Sequence, residues 1–128
     1  MLRRKRLFEI ADSLGCSKLA LGHHKDDIIE TLFLNIFYSG EISTMSPSQT
    51  FFKNRFTVIR PLSFVDEATI IRFTAEQNFP KLINPCPSAK VSKRQEVKDM
   101  LSRLYKENRK IKGNIFRSMQ NVNIEYLL

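Results

Sequence analysis

Apolar positions recur at helical spacing through the first turns of the chain: Leu2, Leu7, Ile10, Ala11 and Leu14. This predicts a helix over residues 2–14, with Gly15 as its C-cap. Lys18–Gly22 (KLALG) is a short apolar run closing on glycine, the pattern of a buried strand in a parallel sheet. From Asp26 to Tyr38 the positions Ile28, Ile29, Leu32, Phe33, Ile36 and Phe37 share one broad helical face, and Ser39-Gly40 stops the run. Residues 40–54 carry Ser, Thr, Gly and Pro without a period and read as a connection. Arg55–Leu62 (RFTVIRPL) alternates and is rich in β-branched residues, which predicts a strand ended by Pro61.

Asp66-Glu67 then opens a helix to about Gln77, anchored by Ile70, Ile71 and Phe73. Two prolines stiffen the loop Asn84-Pro85-Cys86-Pro87. Ser92 caps a long basic helix with Val97, Leu101, Leu104 and Tyr105 on one face, reaching about Lys110, and a short helix from Asn114 to about Gln120 follows. The order helix, strand, helix implies an α/β unit with a parallel sheet. A doubly wound nucleotide-binding domain needs several such units. This pattern offers two strands at most, and its four glycines form no GxGxxG or GxxxxGK loop. The pattern is that of half a domain.

Composition changes this picture in one respect. The 128 residues fit a single globular domain, with 42% hydrophobic and 27% charged residues. No apolar run approaches the roughly 18 residues of a membrane span, and the basic N-terminus lacks the features of a signal peptide, so a cytoplasmic location is expected. The formal net charge is +8, and the excess is clustered. Residues 3–6 are Arg-Arg-Lys-Arg, and ten Lys or Arg stand against three acids between Lys90 and Arg117. Such clustering is the footprint of a polyanion binder, and also that of ordinary solvated helix faces. Cys16 and Cys86 have no CxxC spacing, and each reads first as a small buried apolar residue.

Candidate chemistry concentrates in GHHKDDIIET, residues 22–31. With a strand ending at Gly22 and a helix beginning near Lys25, His23, His24, Asp26 and Asp27 crowd the carboxyl end of the strand, where open α/β sheets place their ligands. Three readings are open at this point. The acids can simply complement the helix dipole, at about 0.3–1 kcal/mol each. A carboxylate can hold Mg²⁺ together with phosphate oxygens, whereas zinc lacks the Cys/His cluster it needs. Alternatively the segment is a nucleotide or nucleic-acid site, with histidines contacting phosphate or moving protons.

The segment LALGHHKDDIIETLFLNIFYSG resembles the HHxDDxxET segment of the PP-loop ATP pyrophosphatases that modify tRNA. Within them it is most similar to the tRNA 2-thiocytidine synthetases (TtcA), with the lysidine synthetases more distant. The resemblance continues through Val58–Leu62, Phe79-Pro80, Pro85-Cys86, Arg94-Gln95, Lys98–Leu101 and Phe116–Val122. It implies a partial Rossmann-like, adenine nucleotide alpha-hydrolase-like parallel sheet with helices, followed by C-terminal helices. Residues 1–80 would be the C-terminal half of the PP-loop α/β domain and 81–128 a basic helical extension, together forming one compact unit.

The implied chemistry is ATP-dependent thiolation. ATP adenylates the C2 carbonyl of an anticodon-loop cytidine, and a sulfur delivered through a 4Fe–4S cluster displaces AMP. On this resemblance Asp26, Asp27, His23 and His24 are catalytic candidates. Gly22, Glu30, Thr31 and Arg60 would line the substrate and ATP site, with Mg²⁺ as a further cofactor. Lys93, Arg94, Lys98 and Arg103 would meet tRNA phosphates, and Cys86 would be a cluster ligand. The family's SGGxDS loop and its CxxC pair are absent from the sequence. The chain is therefore expected to be an inactive C-terminal portion of a thiolation enzyme. The alternatives are one half of a split enzyme, completed by a complementary chain carrying the PP-loop, or a non-catalytic tRNA-binding module. The sheet edge left by the missing strands predicts homodimers or aggregation.

Overall fold

The computed structural model describes residues 2–82 and 92–128. The Asn84–Pro87 loop and the Cys86 ligand assignment lie outside the described residues. In order, the elements are α1 (Leu2–Ser13), β1 (Lys18–Ala20), α2 (Lys25–Ser39), β2 (Ser48–Phe51), β3 (Phe56–Ile59), α3 (Glu67–Glu76), α4 (Lys93–Glu107) and α5 (Lys110–Ser118). A 3-10 turn, Ile124–Tyr126, follows.

The chain forms two compact units, residues 1–28 with 45–74 and residues 29–44 with 75–128. The first holds the sheet, in the order β1-β3-β2. β1 and β3 are parallel, with Leu19 opposite Val58, as the α/β reading requires. β2, however, runs antiparallel to β3, from Ser48 opposite Ile59 to Phe51 opposite Phe56. The sheet is thus three-stranded and mixed, not a two-stranded parallel one, and part of the expected connection is a strand. Its polar SQTF lacks an apolar alternation because only Phe51 is even half-buried.

The tight link between β2 and β3 explains why no turn signal was visible. Phe52, Lys53 and Asn54 all adopt left-handed backbone, with φ of 52°, 54° and 69°. Asn alone among these three tolerates that region well, and each of the others costs about 1–2 kcal/mol. Phe8 of α1 packs on this hairpin, with ring centroids 5.8 Å from Phe51, 5.4 Å from Phe52 and 5.5 Å from Phe56. Val58 is fully buried. Gly15 (φ +71°) ends α1 as expected. The cysteine after it is exposed rather than buried, since the residues around it on the turn into β1 are exposed too.

In the second unit Ile29 of α2 and Val97 and Leu101 of α4 form the core, covered by Phe33, Leu34, Met100, Tyr105, Ile115, Phe116 and Met119. This is the i, i+4 stripe that the sequence predicts for α4. Ser92 is its N-cap, its hydroxyl accepting from the Gln95 amide at 3.2 Å. Gly40 (φ +64°) closes α2 in the left-handed region, and the Glu41 amide donates back to the Asn35 carbonyl at 3.1 Å. α4 stops at Glu107 and α5 begins at Lys110, four residues before the expected start. The N-cap of α5, Arg109, makes no capping bond of its own. Asn108, one position earlier, accepts the Lys110 amide at 2.9 Å instead, inside what the sequence presents as one continuous basic helix. α3 buries no residue, and its expected anchors Ile71 and Phe73 are exposed.

Candidate anion-binding site

The turn from β1 into α2 positions the polar motif, and backbone accounting explains most of its side chains. The first turn of a helix leaves amide donors without carbonyl partners. His24 and Asp27 satisfy them reciprocally: the His24 amide donates to Asp27 Oδ2 at 3.0 Å, and the Asp27 amide donates to His24 Nδ1 at 3.4 Å. This is a capping box with histidine and aspartate in the two roles. Asp26 serves a different helix, its Oδ1 accepting from the Glu67 amide at 2.9 Å, in the first turn of α3. The Lys25 amide donates to the Val65 carbonyl, and Lys25 Nζ lies 3.5 Å from Asp66. His24 and the paired acids therefore knit the starts of α2 and α3 together.

His23 faces the other way. Its Nδ1 accepts from Arg60 Nε at 3.3 Å, which assigns the ring proton to Nε2. Arg60, immediately after β3, is only 6% exposed, and its Nη1 donates to the Ser46 carbonyl at 2.6 Å. No ion pair to Arg60 forms among the described residues. Burial and then the like charge of Arg4 push its guanidinium below the ordinary value. An arginine stays cationic at any physiological pH, so these hydrogen bonds must hold a charge largely withdrawn from water.

Beside it, Arg3, Arg4, Leu7, Leu21, Gly22 and His23 line a cavity of about 390 Å³. An added Cβ at Gly22 would touch nothing within 4 Å. The cationic lining, with a third arginine behind His23, suits an anion. Arg3 and Arg4 were visible in the sequence only as part of a basic run. Nothing in their spacing linked them to Gly22, because α1 and the β1–α2 turn meet through the fold.

The remaining candidates belong to the second unit. Arg94 Nη1 lies 3.4 Å from buried Glu30, and its Nη2 donates to Thr31 Oγ1 at 3.0 Å. Lys93 Nζ sits 4.3 Å from the Tyr38 ring centroid. Lys98 is half-buried and Arg103 is exposed on α4. Among the described residues no group of three or more His, Cys, Asp or Glu is arranged to hold a metal ion. Cys16 stands apart from the motif's acids and histidines, so the described residues do not supply the donor set of an iron–sulfur cluster. No helix is long and apolar enough to cross a membrane.

No family model matches the chain. It is 42% identical over 128 residues to a tRNA-cytidine(32) 2-sulfurtransferase of Coxiella burnetii (strain CbuG_Q212), covering 99% of this chain and 50% of that protein. The corresponding protein of Geobacter sulfurreducens is 43% identical over 129 residues, with the same coverage of 99% and 50%. Among solved structures, U34-tRNA thiolase NcsA from Methanococcus maripaludis, with its 4Fe–4S cluster, matches with a TM-score of 0.73. That match has 24% identity and covers 99% of this chain and 43% of the other, a likeness of fold. The chain spans about half the length of the curated relatives it matches. Over that half, it is homologous to the tRNA-cytidine(32) 2-sulfurtransferases.

Proposed function

We propose that the chain is the C-terminal part of an ATP-dependent tRNA thiolation enzyme of the cytoplasm, and that it contributes the phosphate-facing edge of the ATP site. The observation that carries this reading is Arg60, buried without an ion pair among the described residues and held by His23 beside a cavity lined by Arg3 and Arg4. Cations fixed in this way favour the charge that develops as pyrophosphate leaves. In the proposed reaction the cytidine C2 oxygen attacks the α-phosphorus of ATP and the bond to pyrophosphate breaks. A sulfide-level sulfur from a donor then adds at C2, and the C2–O bond breaks with AMP as the leaving group. Arg60, Arg3 and Arg4 hold phosphate oxygens, and His23 orients Arg60. Gly22 leaves room for the nucleotide, while Asp26, Asp27 and His24 set the helix starts that frame the site. Glu30, Thr31 and Arg94 stiffen the next turn of α2. Lys93, Lys98 and Arg103 meet tRNA phosphates. Mg²⁺ would arrive with the nucleotide as part of the substrate.

The missing ATP-gripping loop has to come from elsewhere. The test is complementation in a bacterium lacking 2-thiocytidine, with the modified nucleoside measured by mass spectrometry of digested tRNA. The chain alone is expected to give none. Co-expression with the N-terminal half of the Coxiella burnetii relative is expected to restore it, and Arg60→Ala to remove it again by at least tenfold. Restoration that is indifferent to Arg60 would overturn the assignment of the site.

A further inference from the structure

A second feature of the sheet unit lies outside the anion site. Phe8, Phe51, Phe52 and Phe56 form a ring cluster, and the centroids of Phe52 and Phe56 are 6.1 Å apart in an edge-to-face arrangement. Phe56 is buried, whereas Phe52 is 62% exposed at the hairpin tip. The guanidinium of Arg4 lies 4.7 Å from the Phe51 centroid, and that of Arg55 lies 5.7 Å from the Phe56 centroid. Together with Asp12 and neighbouring residues they border a shallow cavity of about 510 Å³. An interior cluster would need neither the exposure of Phe52 nor its left-handed backbone (φ 52°), a conformation that persists where the surroundings impose it.

The charge around the cluster selects the ligand. Arg3, Arg4, Lys5, Arg6, Lys53 and Arg55 stand within or beside α1 and the hairpin, against Glu9 and Asp12. Both acids are already engaged, Asp12 by Arg55 at 2.9 Å and Glu9 by Arg6 at 3.5 Å. Aromatic faces interleaved with arginine planes and flanked by lysines are the chemistry that holds unstacked nucleobases and their phosphates. We propose that the Phe52 cluster is a stacking platform for an unpaired base of single-stranded RNA, with Lys53 and Arg55 meeting the adjoining phosphates. This rests on the tRNA reading above and adds to it a specific contact outside the ATP site.

The test compares a fluorescein-labelled anticodon stem-loop with a duplex RNA of equal length, by anisotropy at fixed salt. Phe52→Ala is expected to weaken stem-loop binding about 5- to 100-fold and to leave duplex binding and the salt slope unchanged. Because the chain contains no tryptophan, Phe52→Trp supplies a unique emission probe. It is expected to keep wild-type affinity and to be quenched by the stem-loop but not by the duplex. This second arm does not depend on the alanine variant folding. Three results would overturn the platform while leaving the tRNA reading intact. They are stem-loop binding that is insensitive to Phe52→Ala, an equal loss for both RNAs, and unquenched emission from the Phe52→Trp variant in a complex that anisotropy shows to form. If the wild type binds no RNA at low salt, both fall. Emission changes that follow protein concentration without RNA would make the surface an interface between copies and also overturn it.

Discussion

Arg94 shows how the same residue type takes different roles on one helix. The basic run on α4 suggests tRNA contact for Lys93, Arg94, Lys98 and Arg103 alike. In the fold, Arg94 reaches the buried Glu30 and Thr31 on α2, while Arg103 faces outward. Arg94→Ala is therefore expected to lower stability by about 1–3 kcal/mol, read as a shift of the urea midpoint. Arg103→Ala should leave that midpoint within about 0.5 kcal/mol and weaken RNA binding with a shallower salt slope. A reversed pattern would exchange their roles. The sequence contained both residues, but the partner of Arg94 lies more than sixty positions away, and no local pattern announces such a pair. His23 is similar: its neighbour His24 caps α2, and only the position of Arg60 separates the two rings.

Among the elements, those legible in advance were the ones whose causes are local. α2 and α4 declare themselves by an apolar stripe, and Ser92, Gly15 and Gly40 mark ends by their own side chain or lack of one. β2 escaped because half its signal is a turn built from Phe and Lys in a backbone region they rarely occupy. α3 escaped differently: its existence was legible and its burial was not, since its expected anchors Ile71 and Phe73 are both left exposed in the described fold. With no buried residue, α3 depends on its ends. Asp26→Asn weakens the acceptor that holds its first turn, so amide exchange in α3 should accelerate several-fold by mass spectrometry while β3 is unchanged. Equal acceleration in both would mean that Asp26 supports the sheet instead.

At the scale of the whole molecule, β1 and β2 are the edges of the sheet among the described residues. β1 is three residues long, with Lys18 and Ala20 exposed. Its unpaired backbone donors and acceptors are a template for another strand, opposed only by the short length of β1 and the charge of Lys18. Light scattering is expected to show mass rising with concentration toward a dimer or larger species, and a constant monomer mass up to about 100 μM would count against it. Co-expression with a complementary half should suppress the self-association. The helix-start network of His24, Asp26 and Asp27 has a consequence for descent as well. A copy of the gene that lost the chemistry but kept a role requiring the fold would still be selected to keep these three residues, because they satisfy first-turn donors of two helices. Such a signature outlives the chemistry with which it is associated, so a genome survey that counts enzymes by this motif alone will count silent copies among them.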